Sequence, residues 1–385
     1  MSSRAVCTAI VALAVVIAAG RRNDAQVVLP PSVSLDVRVP AAPTPVRIAG
    51  RWHLAYELHI TNYRTVDVTP THIDVIGGDP GAPLFASYEE QELARRFAQV
   101  GARPDNSDKR SIGAGMQVVL FVWLDLADAI SVPPVIRHRI SYRVGGLGMG
   151  EERATIEAGI TDVRRDSAVV LAAPLRGGPW AALYDPSSVA GHRRALFAID
   201  GLARIPARFA IDWVKVTDEG RAFHGDRSIP SNYYGYGADV LSVADGIVAS
   251  AVDRFPEPTS PISLENESGN YVAIDIGMGR FAFYEHLQPR SVRVTIGDRV
   301  RAGDVLGRVG ASGSVFSGPH LHFHVSDANS PLGAEGLPFV FSAFDVLGAF
   351  ESLDAFAAGM SWSPVRGVHG ARRLEMPPAQ AVLRF

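Results

Sequence analysis

The sequence predicts an all-β protein, an N-terminal β-sandwich followed by a small, glycine-rich β-barrel or sheet domain. Three observations carry this. Apolar and polar residues alternate in short runs bounded by turn residues from about residue 30 to 160, and strand signals resume up to about 345. Gly297, Gly303, Gly307 and Gly310 frame short strands, a spacing that suits the sharp corners of a tightly wound barrel. Finally, Gly318-Pro319-His320-Leu321-His322-Phe323-His324-Val325 leaves a turn and alternates. Strand side chains switch faces at every residue, so His320, His322 and His324 share one face while Leu321, Phe323 and Val325 face a core.

Composition sets the class. A length of 385 residues suggests two or three domains, and 47% apolar residues suffice for ordinary cores. A net charge of −3 with no long Lys/Arg run argues against nucleic acid as a partner. Residues 1–26 read as a secretory signal: Arg4, the apolar run Ala9–Ala19, then Gly20-Arg21-Arg22, with cleavage expected between Ala19 and Gln26. The apolar run is short for a membrane span, so the expectation is an exported chain in the periplasm or outside the cell, without a span once the signal is removed. Uncleaved anchoring is the alternative. The sole cysteine, Cys7, falls within the signal, leaving the mature chain to hold itself by packing rather than disulfides.

The sandwich is expected over residues 27–165. In Trp52–Thr61, Leu54, Tyr56, Leu58 and Ile60 form one face and leave His53, Glu57 and His59 outside. Gln117–Leu126 is apolar almost throughout, as a central strand would be, and Val135–Val144 alternates again. Only Glu89–Gln99 reads as a helix here, and the scattered His53, His59, His72 and His138 read as surface or satisfied core residues. Gly/Pro punctuation near Asp162–Pro179 marks a boundary, and the second domain is expected over 166–345. Arg208–Trp213 alternates, with Phe209, Ile211 and Trp213 inward and Arg208, Ala210 and Asp212 outward. Asp212 on such a strand suits either a cation or a salt bridge with Arg208. Gly237–Val248 reads as strand, Asp-Gly turn and strand; Asn270–Ile276 and Arg280–His286 read as a hairpin in which Tyr284 and His286 share a face. A tail, 346–385, holds a brief helix within Phe350–Gly359 and the terminal strand Ala381–Phe385.

Paired imidazoles on one strand face suit one metal and one reacting water. The glycine-framed strands, Tyr284-Glu285-His286-Leu287 and Pro319-His320-Leu321-His322-Phe323 together resemble the lysostaphin/LytM-type zinc endopeptidases, which cut peptidoglycan cross-bridges. The resemblance covers roughly residues 205–330. It implies Zn2+ as cofactor, His322 and Asp212 as zinc ligands, and His320 and His286 as the catalytic residues acting on the water and the developing oxyanion. In that family the Asp ends a His-x-x-x-Asp strand, and this chain has Arg208 at the His position. Arginine has no lone pair to give and stays protonated, so it cannot ligate zinc. A catalytic zinc site takes three protein ligands and a water, so one must come from elsewhere. His192, on a Gly-flanked turn, is favoured over His224, which sits beside Asp226; His324 is a weaker candidate.

The resemblance implies an exported zinc endopeptidase acting on peptidoglycan peptides. The alternative is a degenerate relative that binds peptidoglycan or regulates a partner hydrolase, with Arg208 as its support. A lipoyl-carrier barrel, suggested by Val300–Leu306, is set aside because Lys215, the one lysine of this domain, lies outside the barrel glycines.

Overall fold

The computed structural model describes residues 35–385 apart from residues 80, 101–107, 127–131, 146–151, 189, 316–317 and 366–368. The expected signal segment, Cys7 included, therefore lies outside the described residues. Ser34–Phe385 form one unit by their contacts.

Two antiparallel sheets enclose the first core. One orders Leu35–Arg38, Arg51–Asn62, Gln117–Leu126 and Phe97–Val100, with Val46–Ile48 paired beside Arg51–Asn62. The other orders Leu84–Glu89, Val68–Gly77, Val135–Val144 and Glu152–Asp162. Leu54, Tyr56, Leu58 and Ile60 lie fully buried in one cluster with Ile73, Val75, Ile136 and Ile140, as the period-two pattern requires. His138 belongs to this core as well, hydrogen-bonded to the Tyr56 hydroxyl at 2.8 Å.

The other face of Arg51–Asn62 departs from expectation. Glu57 is 3% exposed, not outside. Alternation separates the two faces of a strand but does not say what covers the second; here Arg193 and Arg208 cover it. Beside them, Val119, Phe121 and Ile205 form a small core of their own.

The largest sheet has eleven strands. It runs from Arg299–Val300 through Gly246–Val252, Asn270–Asp275, Phe281–Leu287, Leu321–Ser326, Ile211–Lys215, Trp180–Leu183, Ala381–Arg384 and Phe344–Ala349 to Gly370–Arg372, with Gly336–Leu337 paired to the side. Its first and last strands do not pair. No sheet among the described residues closes, so the expected β-barrel is not formed. Ala381–Arg384 inserts between Trp180–Leu183 and Phe344–Ala349, so beyond Trp180–Leu183 the sheet continues as an open array. Nor is Gly237–Val248 a hairpin. Asp239–Leu241 pairs with Val305–Arg308 in a separate two-stranded sheet, and the framing glycines serve turns such as that at Gly303, whose φ is 91°.

The architecture is all-β with several sheets; the described α-helices, Glu90–Arg96 and Leu353–Ala357, are short. Among the described residues no helix is long and apolar enough to cross a membrane.

Candidate metal centre

Three adjacent strands of the large sheet build the floor of the site. Leu321–Ser326 lies between Ile211–Lys215 and Phe281–Leu287, antiparallel to both. The register sets His322 opposite Asp212 on one side and opposite Glu285 on the other. Beneath them Leu321, Phe323 and Val325 are fully buried in the main apolar cluster, so the histidine-bearing face is fixed by packing on its reverse.

Asp212 is the hub. Its Oδ1 lies 2.9 Å from His322 Nδ1 and 3.4 Å from His320 Nε2, and its Oδ2 lies 3.3 Å from His192 Nε2. His192, Asp212 and His322 each offer one ligand atom, all within 4.8 Å of one another, and no other such group of three or more occurs among the described residues. The structure thus brings His192, not His224, to the two strand-borne residues. His224 is exposed beside Tyr234, and the Asp226 carboxylate accepts from the Ser228 backbone and hydroxyl. His192 arrives on a single 3-10 turn, His192–Arg194, entered through Gly191 at φ 97°, a backbone conformation suited to glycine.

Arg208 does not stand on the strand. The regular strand begins at Ile211, and residues 206–209 form a turn. The expected alternation from Arg208 is accordingly interrupted, and its guanidinium pairs with Glu57 rather than Asp212.

His286 also breaks the expected alternation. Tyr284, expected to share its face, is buried in the core against Phe323. His286 has φ 63°, a left-handed backbone that carries its ring to the site side, 4.8 Å from the His320 ring and 5.8 Å from the His322 ring. Sequence reasoning therefore missed Glu285, the residue that faces His322. Its pairing with His322 in a Tyr-x-His strand was readable only with the bend at His286 in hand.

The hydrogen bonds fix the tautomers. His286 Nδ1–H donates to the Ser312 carbonyl at 2.9 Å, and His320 Nδ1–H donates to the Gly318 carbonyl at 2.7 Å. Both rings consequently present Nε2 to the site. Gly318 is required where it is, because a side chain there would run into the Tyr233 ring. His324 differs: it stacks on Phe283 at 4.8 Å, and among the described residues neither of its ring nitrogens has a hydrogen-bond partner.

Electrostatics suit a cation. Burial would raise the Asp212 carboxyl, but the neighbouring His192 and His320 rings outweigh it and hold the group well below the carboxylate range. Burial, with His192 nearby, brings His322 down to about 4, so the ring is neutral and able to ligate near neutral pH. Burial also lowers His286 strongly; His320 is raised, the Asp212 carboxylate more than offsetting its burial. Glu285 is pushed up to about 8 by burial.

Two nitrogens and a carboxylate are the donor set of hydrolytic zinc sites. Tetrahedral metal–ligand bonds of about 2.0–2.2 Å set donor atoms about 3.3–3.6 Å apart. The 3.3 Å between Asp212 Oδ2 and His192 Nε2 is of that size, while the 2.9 Å between Asp212 Oδ1 and His322 Nδ1 is a hydrogen-bond separation. The residues present therefore fit the ion. The site opens into a cleft of about 910 Å³ whose lining also includes Leu183, Phe223, Leu353 and Phe356 together with Arg221 and Arg227.

Residues 233–333 match the model of peptidase family M23. His286, His320 and His322 lie inside the matched stretch; His192, Arg208 and Asp212 precede it. No curated protein matches the chain. Solved structures similar to it include a catalytic-domain variant of the prophage-encoded M23 protein EnpA from Enterococcus faecalis, with 25% identity over 31% of this chain and 85% of that one and a TM-score of 0.21. The catalytic domain of the antimicrobial peptidase lysostaphin from Staphylococcus simulans shows 20% identity over 42% and 88%, TM-score 0.23. Helicobacter pylori Csd3 shows 11% over 75% and 70%, also with a TM-score of 0.23. With scores this low, the geometry of the present site is read from its own residues. The M23 stretch and the His192/Asp212/His322 triad together are consistent with an enzyme centre built on a metal ion.

Proposed function

We propose that the chain is an exported zinc metalloendopeptidase that hydrolyses peptide bonds of peptidoglycan. The observation that carries this is the convergence of His192, Asp212 and His322, with His320 and His286 directly alongside, in one cleft. A bound zinc would supply Lewis acidity and a water acidic enough to ionise near neutral pH. The chain's own residues supply the rest. Asp212 and His322 are held in place by strand pairing, and His192 is carried beside them on its turn.

The resemblance gave the water's proton to His320 and the oxyanion to His286. Both rings commit Nδ1–H to a carbonyl, so a neutral ring begins as a proton acceptor at Nε2. A ring that has taken the water's proton can then donate a hydrogen bond to the developing oxyanion. The apolar residues lining the cleft, Leu183, Phe223, Leu353 and Phe356, give the non-reacting part of a peptide a surface to pack against. Support for peptidoglycan comes from the M23 match and from the export signal read in residues 1–26. His192 beside Asp212, and Arg208 paired with Glu57 instead of facing the site, favour this reading over a binding-only one.

The test is release of new amines and peptides from purified sacculi and defined cross-linked muropeptides by the zinc-loaded chain. Cleavage abolished by a chelator and restored by zinc is expected. Zinc uptake without cleavage of any wall peptide would contradict the substrate assignment.

A further inference from the structure

The residue after His192 and the residue four before Asp212 both reach for one carboxylate, Glu57, in the sheet of residues 35–126. We propose that Glu57, acting through Arg193 and Arg208, is a positioning residue for the metal centre, and that this sheet is thereby a structural part of the site. The inference rests on the metal-site reading above.

Glu57 lies in the middle of Arg51–Asn62 and is 3% exposed. A buried carboxylate costs several kcal/mol in lost hydration unless fully paired. Both of its oxygens are engaged. Oε2 accepts from Arg208 Nε at 2.9 Å and Nη2 at 2.8 Å; Oε1 lies 3.4 Å from Arg193 Nη2. Arg193 Nη2 also donates to the Val122 carbonyl at 2.6 Å and reaches the Tyr56 carbonyl at 3.1 Å. Arg208 completes its set with Glu335 Oε2 at 2.7 Å and the Gly336 carbonyl at 3.1 Å. Two arginines and two glutamates leave the buried group neutral overall.

Those contacts matter for His192 because its own element is too small to hold it. The turn His192–Arg194 closes on little more than two backbone bonds, Arg194 to Gly191 and Ala195 to His192. Single 3-10 turns of that length have no independent stability. Its arginines pin it from outside: Arg193 to the strand carbonyls and Glu57, Arg194 to the Arg96 carbonyl at 2.8 Å and against the Phe121 ring at 4.2 Å. On the other side, Arg208 fixes the turn from which the Asp212 strand starts. One carboxylate thus sets the spacing between two segments that each carry a ligand. It also gives Arg208 a structural role, anchoring the turn before the Asp212 strand to Glu57 and Glu335.

The test is zinc affinity, by chelator competition, and the visible absorption of the cobalt-loaded protein, measured on the full chain. Loss of a group bonded directly to a ligand weakens metal binding roughly ten- to a hundredfold. Glu57 acts one step further out, and a loss of about tenfold, with an altered cobalt spectrum, is expected for Glu57→Gln. If Glu57→Gln fails to fold, Arg193→Lys keeps a positive charge beside Glu57 while giving up the planar fork to the strand carbonyls; weakening of several-fold is expected. Ile73→Ala, in the opposite sheet, should lower stability with zinc affinity and cobalt spectrum unchanged. Zinc binding at parental strength in both Glu57→Gln and Arg193→Lys would overturn the inference while leaving the metal site intact. A parent chain that takes up no zinc would remove the metal-site reading and this inference with it.

Discussion

His322 shows how much one residue inherits from its strand. Its ring faces Asp212 because antiparallel register sets the two opposite, and Phe323 and Leu321 lock the strand from below. His320 is different: it is bound to Asp212 and to the Gly318 carbonyl but lies outside the three-donor group. Replacing it with alanine should leave zinc uptake intact and lower kcat by about 10²–10⁴, the usual worth of a positioned proton-transfer group. A His320→Ala chain that lost its zinc would instead mark His320 as a ligand. Far from the site, His138 is buried, bonded to Tyr56, and depressed to about 4 by burial. Its folded value lies below the ordinary 6.5, so the unfolded chain binds the proton first. The stability it supports is present above pH 6.5 and is lost as the pH falls towards 4. The loss should reach about 3 kcal/mol, at about 1.4 kcal/mol per pKa unit. Denaturant midpoints across that window should fall more steeply in the parent than in His138→Gln; parallel profiles would show that His138 does not titrate there.

Among the elements, the terminal strand Ala381–Arg384 carries more than its position at the end of the chain suggests. Ala381, Val382 and Leu383 are fully buried, and the strand lies between Trp180–Leu183 and Phe344–Ala349. Leu383→Ala should cost about 2–5 kcal/mol, as large-to-small core changes do, measurable by urea unfolding. A cost below about 1 kcal/mol would mean that the strand is dispensable to the sheet. The strand itself was legible, since short alternating runs announce themselves by period. Its partners were not, because period says nothing of which distant edge a strand will join. The same limit produced the expected barrel: regular glycines report turns, and only the pairing of the tail shows that the sheet stays open. The histidine face of Leu321–Ser326 was legible for the opposite reason, since alternation alone determines it. At His286 the alternation fails through a single left-handed residue, and nothing in Tyr284–Leu287 signals that bend.

Across the whole molecule, the site is assembled from segments far apart in sequence. His192 precedes the M23-matching stretch, Asp212 follows a turn anchored by Arg208, and the anchoring carboxylate, Glu57, belongs to another sheet. The departure at Arg208 was plain in the sequence, and so was the short list of substitutes. The choice between His192 and His224 needed the fold, because it depends on what pins a three-residue turn. With His192 on a turn anchored by Arg193, the proposed site ties metal binding to the packing of the first sheet. Zinc content is therefore the decisive quantity. Metal analysis of the purified chain, of His192→Ala and of His322→Ala tests it most directly. About one zinc per chain in the parent, lost from both variants, is the predicted result. A parent without zinc after incubation with the metal, or a His192→Ala chain that keeps it at full affinity, would contradict it.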